Sequence, residues 1–247
     1  MIQSLIALID VNFLLALIVV IVAGLIRGFA GVGSGMLMAP IFIVLFGPVE
    51  TVAMIILIEI VTTVQLLPGV YRHIQWTLIG PMGVAAILFM PAGSWLLLTV
   101  DSEALARWVA AIVLVFSIIL LAGWRYAGAK RITTTTAVGA LSGIMMAATS
   151  LGNPPVMLYL LSSEDSAVTN RANFTGYFAV TLTALVLFMV TKGLISSGVL
   201  LRTILLLPAF LFTAYLGARL FRKSSEQLYR RLTLGLLILV GAYGLVR

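Results

Sequence analysis

Positions 28–40 read GFAGVGSGMLMAP, a run of small residues inside apolar sequence, and a fainter copy, GIMMAATSLGNPP, occupies positions 143–155. Glycine and proline weaken or interrupt the backbone hydrogen bonding that a lipid-facing helix needs. Irregular backbone at membrane depth is tolerated only where protein or a polar cavity surrounds it. A chain that carries such a break twice is expected to enclose a built site.

The premise that these breaks lie at membrane depth comes from composition. Of 247 residues, 62% are hydrophobic and 9% charged, against about 45–50% and about 25% in soluble domains. Uncharged runs such as 108–124 and 232–246 approach the roughly 20 residues needed to cross a hydrocarbon core. The period-two alternation of a transmembrane β-barrel is absent. The chain therefore reads as one all-α, multi-pass membrane domain over 1–247, its apolar amino terminus retained as the first span because no basic region or cleavage site marks a signal peptide. There is no cysteine, and His73 is the single histidine, so thiol chemistry, disulfides and histidine metal clusters are excluded and no cofactor or metal is expected. The net charge of +7 sits mainly in short connections, where it reports topology rather than a nucleic-acid partner.

Breaking the chain at polar and Gly/Pro-rich points predicts segments at 5–31, 36–47, 50–68, 77–99 and 104–124, then 134–150, 154–162, 170–191, 198–220 and 227–246. Each half runs long, short, then three of spanning length. An offset of 115 pairs Gly24 with Gly139, Gly28 with Gly143, Pro40 with Pro155 and Leu45 with Leu160, and sets Glu50 opposite Asp165. Ser102-Glu103-x-Leu105-x-Arg107 returns as Ser225-Glu226-x-Leu228-x-Arg230 at offset 123. Two motifs in the same order point to internal repeats at about 1–124 and 134–247. Arg72, the Arg125/Lys130/Arg131 cluster and the Arg219–Arg231 cluster favour the cytoplasm, and the acidic 101–103 turn the outside. That assignment predicts inverted repeats. The short segments at 36–47 and 154–162 complicate it, since each is too short to cross as an ordinary helix, and if both are re-entrant the crossing parity changes and the repeats become parallel.

A helix that begins inside the membrane presents unpaired N–H groups and the positive end of its dipole, which suits a small anion. The candidate binding atoms are the backbone of Gly33, Ser34, Gly35 and Gly152 and the side chains of Ser34, Thr149, Ser150 and Asn153, with Pro154 and Pro155 in a first helical turn. Gly24, Gly28, Gly139 and Gly143 are read instead as helix-packing positions. Charge at membrane depth is costly and marks function. Glu59, mid-segment with no basic residue within a helical turn, is either a proton carrier or a hydrogen-bonding group to a neighbouring helix. Arg27, before the first break, and Arg171 with Asn173, after the second, are candidates to neutralise an anion; for Arg171 an interfacial role is an equal alternative.

The Gly-rich segment ending in proline, its counterpart GNPP before LYLL, and the closing Gly217-Ala-Arg219 followed by Ser225-Glu-x-Leu-x-Arg230 together resemble the TauE/SafE, or sulfite exporter, family across nearly the whole chain. The resemblance implies a bacterial or archaeal inner-membrane transporter of sulfite, organosulfonates or related small anions. The expectation is a secondary transporter working by alternating access, with proton coupling through Glu59 as one reading. An anion channel and a non-transporting scaffold or accessory subunit are the alternatives. No ATP-binding motif, HExxH or GxSxG motif is present, so neither ATP coupling nor enzymatic turnover is expected. The expected partners are the organosulfur anion and the lipid bilayer, with a homodimer left open.

Overall fold

A computed structural model describes residues 10–30, 33–122, 131–160 and 165–221. The predicted segment 227–246, the basic residues Arg125, Lys130 and 222–231, and the side chain of Asn153 lie outside the described residues. Among the described residues the chain forms α-helices and one 3-10 turn, with no strand. The helices are α1 (Val11–Ala30), α2 (Ser34–Phe46), α3 (Pro48–Val70), α4 (Trp76–Thr99), α5 (Ser102–Leu121), α6 (Ile132–Thr149), α7 (Asn153–Leu160), α8 (Ala167–Thr191) and α9 (Ser197–Phe221). Six, namely α1, α3, α4, α6, α8 and α9, are long and apolar enough to cross a membrane. Their outward faces carry residues such as Leu88, Leu187 and Phe212, which hydrocarbon accommodates and water does not. The protein is a polytopic all-α membrane protein, as its composition predicts.

The short helices owe their starts and stops to glycine and proline. Gly33 takes a left-handed backbone conformation (φ 97°) immediately before α2, and Gly47 (φ 79°) turns the chain from α2 into α3, where Pro48 occupies the first turn and needs no donor. In the second half α6 ends on Ser150, and Pro154 and Pro155 lie in the first turn of α7.

Contacts give the direction of each helix. Asn12, at the start of α1, reaches the Leu45 carbonyl at the end of α2, and Thr135, near the start of α6, bonds Tyr159 near the end of α7 (2.6 Å). Each long-plus-short pair is therefore a hairpin that returns to the face it entered from. Gly24 and Gly28 of α1 pack on Phe210 and Ala214 of α9; Gly139 and Gly143 of α6 pack on Met82 and Ala86 of α4. Both pairs run parallel. At Gly28 the facing α9 still continues from Ala214 to Phe221, roughly 10 Å more at 1.5 Å per residue, so α1 stops inside the molecule. The same holds for α6, whose Ile144 and Ala147 lie against Gly93 of α4.

The α1–α2 hairpin opens toward the face that carries Asp10, Gly47 and Asp101, here called the first face. The α6–α7 hairpin opens toward the opposite, second face, with Arg131 and Gln75. The short segments are thus not independent re-entrant loops. Each is the return limb of the helix before it, and α3, α4 and α5 run between the two hairpins. The packing is reciprocal: α4 lies on α6 as α9 lies on α1, α4 on α8 as α9 on α3, and α3 on α8 at the centre.

Among the described residues, polar contacts tie the halves together at both faces. On the first face Arg202 of α9 donates to Glu50 of α3 (2.6 Å), its guanidinium 5.1 Å from the Phe46 ring centre. On the second, Asn173 of α8 accepts from the Gln75 backbone N–H and donates to the Gln75 side chain (2.8 Å each), while Gln75 also donates to Asp165 (3.3 Å). Asp165 is the residue set opposite Glu50 by the 115-residue register.

Candidate functional site: a buried ion pair between two interrupted helices

The two hairpin tips meet in the interior. Ser34 and Glu59 lie 13 and 12 residues on either side of Gly47, so at about 1.5 Å per residue both sit roughly 20 Å from the first face. At that depth the Ser34 hydroxyl donates to one carboxylate oxygen of Glu59. The Arg27 guanidinium, at the end of α1, lies 3.1 Å from the other oxygen. Arg27 also stands 5.5 Å from the ring centre of Phe178 on α8, a distance at which the ring face attracts a cation. Side-chain exposure is 2% for Arg27 and 8% for Glu59. Among the described residues these are the only charged side chains that are buried.

A cavity of about 10 Å³ adjoins the pair. That volume suits about one water molecule. Gly35, Ile55, Ile56 and Glu59 line it from the first half of the chain, and Met146, Ser150, Phe178 and Leu182 from the second. At Gly35 a β-carbon would already touch the Ser150 carbonyl oxygen at 3.4 Å, so the lack of a side chain there keeps the two interrupted segments apart without filling the gap. Ser150 is the one non-glycine residue with positive φ among the described residues (57°). Such a conformation costs an L-residue roughly 1–2 kcal/mol and here aims the turn between α6 and α7 at the cavity wall.

Of the residues singled out by sequence, the structure brings Arg27, Ser34, Gly35, Glu59 and Ser150 together, with Gly33 immediately before Ser34 as the turn that starts α2. Thr149 bonds its own helix at the Met145 carbonyl and accepts from the Leu151 N–H. Gly152 is buried, and its carbonyl accepts a hydrogen bond from Ser142, whose oxygen in turn accepts from Tyr177 (2.7 Å). Asn153 opens α7. Arg171 and Asn173 are not at this site. Arg171 is exposed, and Asn173 is engaged by Gln75 at the second face. Two helical residues differ by about 200° in direction, so the two side chains of one motif leave α8 on opposite sides.

The Arg27–Glu59 contact itself was not foreseen, although a signal was available: two isolated opposite charges in apolar segments each need a partner. Phe178, Ser142 and Tyr177 gave no such signal, because an aromatic or a serine in a span has many bland explanations. In the 115-residue register Arg27 corresponds to Ser142, Ser34 to Thr149 and Gly35 to Ser150. One hairpin tip is therefore charged and its counterpart is a neutral chain of hydroxyls.

Residues 16–244 match the family described as sulfite exporter TauE/SafE. The probable sulfite/organosulfonate exporter TauE of Cupriavidus necator is 24% identical over 222 residues, covering 86% of this chain and 85% of that protein. No solved structure matches the chain.

Proposed function

Because this chain belongs to the TauE/SafE family of sulfite exporters, we propose that it is a secondary transporter of small sulfur oxyanions or organosulfonates, with the substrate's anionic head held by Arg27 and Ser34 between the two hairpin tips. The observation that carries this reading is the placement of the only buried charges among the described residues at the junction of two helices interrupted in the interior. A guanidinium and a hydroxyl are the donors a sulfonate or sulfite oxygen accepts from, and in a site shielded from water such charge-assisted bonds are strong. The name of the Cupriavidus necator relative supports the same substrate class.

Alternating access fits the reciprocal packing and the cavity that lies between the halves. On this reading the two halves are inverted repeats that rock about the α3–α8 contact. The Glu50–Arg202 pair closes the first face and the Gln75–Asn173–Asp165 cluster closes the second. Arg72, Arg131 and Arg219 all lie toward the second face, which makes it the cytoplasmic one under the positive-inside rule. Gly33, Gly35, Ser150 and Gly152 supply backbone at the site, while Thr149 and Asn153 shape the second hairpin tip.

Purified protein in detergent should be stabilised against heat by sulfite, sulfoacetate or ethanesulfonate and not by acetate. In proteoliposomes the stabilising anion should saturate and show counterflow, which a channel does not. Stabilisation by acetate alone, or flux without counterflow, would overturn the assignment.

A further inference from the structure

Glu59 presents to Arg27 and Ser34 what a sulfonate would present: two oxygens on one centre, one against the guanidinium at 3.1 Å and the other accepting the hydroxyl proton. We propose that Glu59 is a built-in stand-in for the transported anion, and that the substrate gains access to Arg27 and Ser34 only when Glu59 takes up a proton. This deepens the transport reading and rests on it.

The argument begins with space and charge. The cavity beside the pair is about 10 Å³, room for a water and not for a sulfonate, so the substrate's head must take ground the carboxylate now occupies. A second anion beside an ionised Glu59 would meet like-charge repulsion with little water to screen it, and a displaced carboxylate left charged would lose its counter-ion. Protonation removes both penalties. The step is COO⁻ + H⁺ → COOH, with the proton drawn from the face to which the site is open; an O–H bond forms, and the anion replaces the carboxylate on Arg27. Release of the anion reverses it.

The neighbourhood isolates Glu59 for this role. Among the described residues, Arg27 from α1 is the ionisable group that faces it. From α2 comes Ser34, and from α8 come the Phe178 ring and, next to it, Tyr177, whose hydroxyl is turned to Ser142. Helices α4 and α6 carry no charged residue, and those of α5 and α9, Glu103, Arg107, Arg202 and Arg219, are at the faces of the molecule. The displaced carboxyl also has somewhere to go. Thr63, one helical turn along α3, is fully buried with a hydroxyl that has no hydrogen-bond partner. Residues four apart lie on the same face of a helix, so Thr63 and Glu59 share one face of α3.

The test is proton uptake on binding, measured with ethanesulfonate, whose sulfonate stays ionised over the working range. Calorimetry in buffers of different ionisation enthalpy should report close to one proton taken up per anion bound to the wild-type protein, and its affinity should fall as pH rises. Glu59→Gln should bind with no proton uptake, with affinity indifferent to pH, and at least tenfold more tightly than wild type at the alkaline end. Wild-type protein that binds ethanesulfonate without proton uptake and with flat pH dependence would overturn the stand-in role while leaving the transport reading intact. Wild-type protein that binds neither ethanesulfonate nor sulfite would overturn both. The wild-type measurement decides the matter even if Glu59→Gln does not fold.

Discussion

Arg27 and Glu59 sit in apolar helices 32 residues apart, and each neutralises the other in the interior. Removing one partner of a buried pair typically costs about 3–5 kcal/mol, whereas replacing both with apolar side chains is often close to neutral. Arg27→Met should accordingly lower the unfolding temperature in detergent well below wild type. Adding Glu59→Leu to it should recover most of that loss, while the double variant shows no thermal shift with any sulfur anion. Recovery of stability together with ligand response would remove Arg27 from the binding site. Both residues stood out in the sequence, because charge in an apolar segment is conspicuous. Their pairing did not, since it depends on the chain reversing after Arg27. Arg171 shows the converse limit: its position after the second break drew the eye, but the rotational phase of α8 turns it outward, and phase is hard to read in a helix apolar on most of its circumference.

At the scale of elements, the order and most boundaries of the described segments were legible, because span length and Gly/Pro breaks are imposed by the bilayer on the chain itself. What the sequence left open was how the short helices are connected in space, since a thirteen-residue α2 fits an independent loop as well as the return limb of α1. The glycines that hold the hairpins to their neighbours decide the geometry. A β-carbon on Gly28 would overlap the Ala214 carbonyl, and one on Gly143 the Ala86 carbonyl, whereas Gly80 of α4 has nothing nearby. Gly28→Val and Gly143→Val should each force the helices apart and cut the yield of folded protein several-fold on size-exclusion chromatography. Gly80→Ala should be neutral or stabilising by up to about 1 kcal/mol, through the better helix propensity of alanine. Wild-type behaviour of both valine variants would mean that α1–α9 and α6–α4 do not approach as closely as described.

For the whole molecule, the contacts at the two faces make opposite predictions. Because the chain has no cysteine, a single Ile55→Cys placed in the cavity wall reports access to the interior without further engineering. Arg202→Ala should raise its labelling by a membrane-impermeant thiol reagent added at the first face, and Asn173→Ala at the second. Equal labelling from both faces in either variant would show that these contacts brace the fold rather than close it. The buried pair has a further consequence that concerns voltage. Moving one elementary charge through the membrane field changes its energy by about 2.3 kcal/mol per 100 mV. Arg27 with ionised Glu59 sums to zero, and so does Arg27 with a bound monovalent anion beside protonated Glu59. Neither the empty nor the loaded carrier then feels the field, and the cycle is electroneutral. Glu59→Gln removes one negative charge from the empty carrier, so its return step, and with it the direction of net flux, comes under the control of the membrane potential.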